Sequence, residues 1–171
     1  MKHLGLIRHA KSDWNNPKLE DFDRPLNERG RAAARRMSKE LKALAIGYDL
    51  VLVSNALRAV QTWALLHEHW TIDVAAHEEC RLYGASSEQL AKIIAETGMK
   101  ANWLLLVGHN PGLHDLAYDL TQGDSSPLHE QLAAKFPTCA LAEIELPIEN
   151  WREIADARGV LSRFLRPRDL D

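Results

Sequence analysis

The stretch DLVLVSNALRAVQTW, residues 49–63, decides how this chain is read. Its first part is a continuous apolar run of strand length, the pattern of a β-strand covered on both faces. Ser54 follows, a residue of the type that caps helix N-termini, and a helical segment runs on through NALRAVQTWALLHEHW. A strand buried on both sides needs helices above and below it, so the unit points to layered α/β architecture.

The rest of the chain repeats the alternation. His3 to Ile7 reads as a first strand. PLNERGRAAARRMSKELKAL, residues 25–44, reads as a helix with Ala33, Met37, Leu41 and Leu44 on one face and Gly47 as its stop. TIDVAA, 71–76, reads as a short strand. SSEQLAKIIAETG, 86–98, reads as a helix with Ser86 and Gln89 forming a capping box and Gly98 ending it. NWLLLVGHN, 102–110, is the most apolar strand, and GLHDLAYDLTQG, 112–123, a short helix closed by Gly123. QGDSSPLHEQ, 122–131, has the composition of a loop. TCALAEIELP, 138–147, and NWREIADA, 150–157, read as two adjacent strands that VLSRFLRP, 160–167, could extend. The expectation is an α/β three-layer sandwich with a mostly parallel central sheet, an antiparallel edge and helices on both faces. The 171 residues suit one domain spanning 1–171.

Charge narrows the function. A net charge of −3 argues against a general nucleic-acid or anionic-membrane binder, both of which need a basic excess. The apolar stretch before Arg8 is too short for a secretory signal, and no run is long enough to cross a bilayer. Cys80 and Cys139 lack CxxC spacing, so neither a disulfide framework nor a zinc site is indicated; they read as small buried apolar residues in a reducing cytoplasm.

In an open parallel sheet, ligands bind outside the carboxyl ends of the strands. Arg8 and His9 follow the first strand. Ser54, Asn55 and, one turn on, Arg58 follow the second, and Gly108, His109 and Asn110 follow the LLLV strand. Two guanidiniums converging on one spot would repel unless an anion sits between them, and their planar forks match phosphate oxygens two at a time. An unprotonated imidazole beside a bound phosphoryl group can attack it, and a second imidazole can stabilise the shifting charge. Placing Arg8 and His9 at a strand end fixes both on rigid backbone.

LIRHAKS (6–12), SNALRAVQTW (54–63) and LLVGHNPGL (105–113) resemble the three signatures of the histidine phosphatase superfamily, also called phosphoglycerate-mutase-like. DRPLNERGRAAA, CRLYGAS and FPTCAL are similar to its short SixA-like phosphohistidine phosphatase branch, so the resemblance covers nearly the whole chain. It implies that His9 is the phosphorylated nucleophile and that Arg8, Arg58 and His109 complete the phosphate pocket. Asn15 matches an Asn that helps hold the phosphoryl group or substrate in relatives, and Ser12 and Arg24 fall in the loop after the nucleophile, at the entrance. The implied activity is a phosphatase needing neither cofactor nor metal, acting on a phosphate-bearing substrate such as a histidine-phosphorylated protein. Members that cleave phosphomonoesters carry a Glu proton donor just after an Arg-Leu pair; here Gly84 stands at that position, with Glu78 and Glu79 nearby. An alkoxide leaving group needs such a donor, whereas the less basic imidazole of phosphohistidine does not. The alternatives are a small-molecule phosphomonoesterase or mutase-like enzyme, and a non-catalytic phosphate-binding module.

Other features have plainer readings. His67 and His69 are two apart on a helix and face different directions, which suits surface histidines better than a metal site. His114 could reach the pocket rim, and Trp14 could form a wall. Trp63 and Trp103 read as core residues. The arginines of SRFLRPRDLD could dock on the domain or on an acidic partner, and nothing specifies an oligomeric state.

Overall fold

The computed structural model describes residues 1–170. Six strands, β1 (Lys2–Arg8), β2 (Leu50–Val53), β3 (Ala76–Glu78), β4 (Trp103–Gly108), β5 (Leu141–Leu146) and β6 (Val160–Leu165), form one sheet in the order β3-β2-β4-β1-β5-β6. Strands β3, β2, β4 and β1 run parallel; β5 and β6 add an antiparallel edge. The mostly parallel sheet with an antiparallel edge is therefore as expected.

The apolar runs read as they do because both faces are covered. Leu104 and Leu106 of β4 join Leu4, Leu6 and Leu52 in one core, while Leu105 and Val107 join Ile7, Val51 and Val53 in the other. Helices α1 (Glu28–Ala43) and α2 (Leu57–Leu66) pack on the second core through Met37, Leu41 and Leu66. Helices α3 (Ser87–Thr97), α4 (Gly112–Leu120) and α5 (Pro127–Ala134) pack on the first through Ile94, Leu116 and Leu132. Fully burying one such side chain contributes about 1.5–3 kcal/mol, which anchors each helix against the sheet.

Several local expectations are corrected. The buried stripe of α1 is Gly30, Ala34, Met37, Ser38 and Leu41, with Leu44 left 40 % exposed. The helix stops not at Gly47 but where Ala45 turns left-handed at φ 52, one residue after the C-cap Leu44. The edge strand β3 lies at 76–78 rather than 71–76; all its residues are exposed, so pairing with β2 and not burial defines it. The loop-like QGDSSPLHEQ contains the start of α5, because Ser126 accepts from the His129 amide and Pro127 occupies the first turn, where its missing N–H costs nothing. NWREIADA is a 3-10 helix (Trp151–Asp156), opened by an Asn150/Glu153 capping box, with Trp151 and Ile154 buried three residues apart. Of the tryptophans, Trp70 and Trp151 are the fully buried ones; Trp103 is 37 % exposed and stacks on His3, and Trp63 is half-buried. Cys139 is buried as expected, but Cys80 is exposed.

Candidate active site

Register brings the two site histidines together. Arg8 of β1 pairs with Gly108 of β4, so His9 and His109 leave neighbouring strands at the same level. The His9 amide donates to the Gly108 carbonyl at 2.9 Å, and the imidazole centroids lie 5.2 Å apart, tilted by 51°. On the far side of β4, β2 is followed by Ser54, whose amide donates to the Val107 carbonyl. Helix α2 starts three residues later and carries Arg58 in its first turn, with its Nε 3.3 Å from His9 Nε2.

The orientation of His9 follows from one hydrogen bond. Its Nδ1 lies 2.7 Å from the Ala10 carbonyl oxygen. A carbonyl only accepts, so the ring proton sits on Nδ1 and Nε2 carries a free lone pair, toward which Arg58 Nε–H points. The Ala10 amide donates to Thr62 Oγ1 at 2.9 Å, and that hydroxyl donates to the Arg58 carbonyl at 2.7 Å. One turn of α2 thus fixes the backbone that fixes the ring. Burial, and then the neighbouring His109, Arg58 and Arg8 charges, lower the His9 pKa to about 3 despite the opposing backbone bond. The neutral form is the resting form at neutral pH.

His109 is held by Ser54, with Nε2 to Oγ at 2.7 Å. Ser54 Oγ also accepts from the Ala56 amide at 3.3 Å; its own proton can be given to Nε2, the arrangement that carries the imidazole N–H on Nδ1, and its second lone pair can instead accept from Nε2–H. The Nδ1 nitrogen is buried without a protein partner. Burial and the Arg58 charge lower the His109 pKa to about 4. Arg8 donates through Nη1 to the Phe136 carbonyl at 3.1 Å, which Asn110 Nδ2 shares at 3.0 Å, while Arg8 Nε is buried and unpartnered. Burial, and then Arg58, pull the Arg8 pKa below its usual value. Donors without protein acceptors, facing neutral imidazoles, form a cluster suited to an oxyanion.

The remaining candidates fall elsewhere. Ser12 and Arg24 are buried but paired with each other, Nη1 to Oγ at 2.6 Å; Arg24 also holds Asp21, so both brace the loop after β1. Gly30 lets α1 close on that loop, since a Cβ there would lie 2.1 Å from the Lys11 carbonyl oxygen. Asn15 is exposed, and only its amide is engaged, by Asp13. Trp14 is 74 % exposed, with the Arg24 guanidinium stacked over it at 3.4 Å. Gly84 turns left-handed at φ 71, Glu78 is exposed on β3, and Glu79 is bound to Arg81. His114 reaches the Leu132 carbonyl, and His67 stacks on Trp63. Among the described residues, no group of three or more His, Cys, Asp or Glu side chains is arranged to hold a metal, and no helix is long and apolar enough to cross a membrane.

Sequence reasoning missed Asp21 and Tyr83 and misread Ser54. Ser54 binds His109 and is not the cap of α2, whose N-cap is Ala56 with no side-chain bond. Its position at a strand's carboxyl end was the available signal. Asp21 binds Arg58 through Oδ2 at 3.0 Å and through its carbonyl at 2.7 Å, and Tyr83 Oη donates to Oδ2 at 2.5 Å. These donors, Tyr83 foremost, lower the Asp21 pKa to about 2 against the cost of burial. No local pattern announces Asp21 as a site residue, because the partners that tie it to the site, Arg58 and Tyr83, lie 37 and 62 residues away.

A parallel-sheet sandwich with paired imidazoles and guanidiniums at its strand ends defines a class, and comparison with known proteins agrees. The profile of the histidine phosphatase superfamily (branch 1) matches residues 4–83. An uncharacterized protein of Mycobacterium tuberculosis is 35 % identical over 164 residues, covering 95 % of this chain and all of that one. The crystal structure of a proposed phosphohistidine phosphatase SixA from Agrobacterium tumefaciens superposes with a TM-score of 0.81 at 30 % identity, covering 97 % of this chain and 98 % of the other. A SixA structure from Nakamurella multipartitia, also a proposed phosphohistidine phosphatase, gives a TM-score of 0.83 at 25 % identity over 97 % and 96 % of the two chains. The chain belongs to the histidine phosphatase superfamily, in its SixA-like branch.

Proposed function

We propose that this chain is a metal-independent phosphatase that passes the phosphoryl group through a covalent phosphohistidine on His9, with phosphohistidine of a protein as its substrate. The observation that carries this reading is the Nδ1 bond of His9 to the Ala10 carbonyl, which leaves Nε2 unprotonated, its lone pair facing Arg58 Nε–H at 3.3 Å beside His109. His9 Nε2 attacks phosphorus as the bond to the leaving group breaks. Arg8, Arg58 and the His109 Nδ1–H meet the equatorial oxygens where charge gathers, and water then attacks phosphorus and releases His9. The substrate assignment draws support from the SixA relatives named for that activity and from Gly84 at the position of the missing Glu. The setting in this reading is the cytoplasm, where the two free cysteines stay reduced.

The test is chemical trapping. Rapid alkaline quench during turnover of a phosphohistidine peptide should yield a phosphorylated His9 peptide, stable to alkali and lost in acid, located by mass spectrometry. His9→Ala should abolish both adduct and turnover. Sustained turnover with no adduct on any histidine overturns the mechanism. Turnover of sugar phosphates with none of phosphohistidine overturns the substrate assignment.

A further inference from the structure

Asp21 is the carboxylate that meets Arg58 of the site, and the mechanism above gives it no role. It sits on a 3-10 turn (Asp21–Asp23) in the loop after β1. Four donors hold it: Arg24 Nε and Nη2 on Oδ1, Arg58 Nη2 and Tyr83 Oη on Oδ2. Its side chain remains 49 % exposed, while the Arg24 and Arg58 side chains behind it are each 7 % exposed. It therefore forms the outer wall of the site, with Tyr83 beside it, whose ring lies edge-on to His109 at 5.5 Å between centroids.

An anion at the mouth of a phosphate site opposes what the site does. It competes for Arg58 and repels an incoming dianion. Such a group is useful when the other half of the substrate is a cation. A phosphorylated imidazole fits: protonated on the nitrogen that does not carry phosphorus, its ring is an imidazolium. The arginines repel that ring, and a fixed carboxylate offsets the repulsion. We propose that Asp21 is a specificity-determining residue that accepts a hydrogen bond from the free ring N–H of the leaving imidazolium. This rests on the phosphohistidine reading above and assigns the residue that selects it.

A vacancy arises from substrate binding itself. The Arg58 Nη2–H that now meets Oδ2 is a donor a phosphoryl oxygen would take. As Arg58 turns to phosphate, one acceptor site on Oδ2 opens toward the bound group. The chemical step then balances without a protein acid. The His9 Nε2 lone pair forms the new P–N bond, the pair of the old P–N bond returns to the substrate ring, and the ring leaves as neutral imidazole with its proton still on the other nitrogen. A carboxylate held ionised, with its pKa lowered to about 2 by Tyr83 and the arginines, can accept from that N–H throughout. An alkoxide or phenoxide leaving group offers no such N–H and meets only the repulsion.

The experiment compares kcat/KM of wild type, Asp21→Asn and Asp21→Glu on a phosphohistidine peptide and on an aryl phosphate, with folding checked by circular dichroism and thermal melting. Asp21→Asn should lower kcat/KM on the peptide tenfold or more and raise it a few-fold on the aryl phosphate, where a competing anion has been removed. Asp21→Glu should recover part of the peptide preference. A loss of equal size on both substrates, or no loss on the peptide, overturns the proposal while leaving the phosphohistidine reading intact. A wild-type protein that cleaves the aryl phosphate and not the peptide overturns both. Should Asp21→Asn fail to fold, Tyr83→Phe, which removes one donor from Oδ2, must shift the same ratio between substrates, and an unchanged ratio sinks the idea.

Discussion

Two buried polar clusters sit toward opposite ends of one sheet, and they are built on opposite terms. Toward the amino ends of the parallel strands, Tyr48 Oη donates to Glu143 Oε1 at 2.6 Å, and Arg163 pairs with Oε2 of the same carboxylate. On the other face of the sheet, Lys2 donates to the Ala101 carbonyl and to Asn102 Oδ1. At the carboxyl ends, Arg8 Nε, His109 Nδ1, Asn55 Oδ1 and Asn110 Oδ1 are buried with no protein partner; the first cluster contributes no such atom among the described residues. Leaving a buried polar group unpaired costs about 1–3 kcal/mol each. A fold that keeps one end closed and the other open holds the open end for a ligand: phosphoryl oxygens meet the Arg8 donor, and the Asn55 and Asn110 oxygens are left to donors such as water. The difference separates a structural polar core from a site.

The largest effect that could break this contrast is at Arg58. Arg58→Ala should lower kcat/KM on an aryl phosphate by about a hundred- to a thousand-fold, the usual cost of removing one oxyanion donor, with a melting temperature close to wild type. A variant of full activity would mean that Arg58 lies outside the site's chemistry. Next comes the closed end. A Cβ at Gly5 would lie 2.2 Å from Tyr48 Oη, so Gly5→Ala must displace the tyrosine from Glu143. Urea unfolding should report a loss of about 1–3 kcal/mol from overpacking, with kcat unchanged per folded molecule. Altered kcat at unaltered stability would show that the two ends are not independent.

The smallest effect sharpens the comparison through pH. His9 and His109 titrate near 3 and 4 in the folded chain and near 6.5 when unfolded, so between these values the unfolded state binds more protons. Stability is therefore at its plateau above about 6.5 and declines as pH falls toward 4, by up to about 1.4 kcal/mol per unit for each histidine. Urea titrations at stepped pH should show this slope, and His9→Asn should reduce it. An NMR titration of the His9 ring should likewise place its midpoint well below 6, and a midpoint near 6.5 would show that His9 is not buried as described.

How much was legible in the sequence depended on the range of the interactions. The covered strands, the Ser86 and Gln89 capping box and the strand-end placement of Arg8, His9, Arg58 and His109 are local patterns, and the structure reproduces them. Errors gathered where signals compete or are missing. Ser126-Pro127 carries loop composition and helix-start chemistry at once. Trp151 and Ile154 at spacing three suit a 3-10 turn as well as a strand. The exposed β3 has no apolar pattern to read. Ser12 and Arg24 fell in the right loop, but their bonds brace it.

The sequence by itself determined the layers and the chemistry available at the strand ends, because hydrophobic periodicity and residue type are properties of neighbours along the chain. Only the tertiary structure decided which nitrogen of each imidazole is free, since that rests on Ala10 and Thr62 around His9 and on Ser54 beside His109. It also decided that Asp21 faces Arg58 and Tyr83. A hydrogen bond depends on distance and direction in space, and the partners that set these directions come from segments the chain separates by dozens of residues.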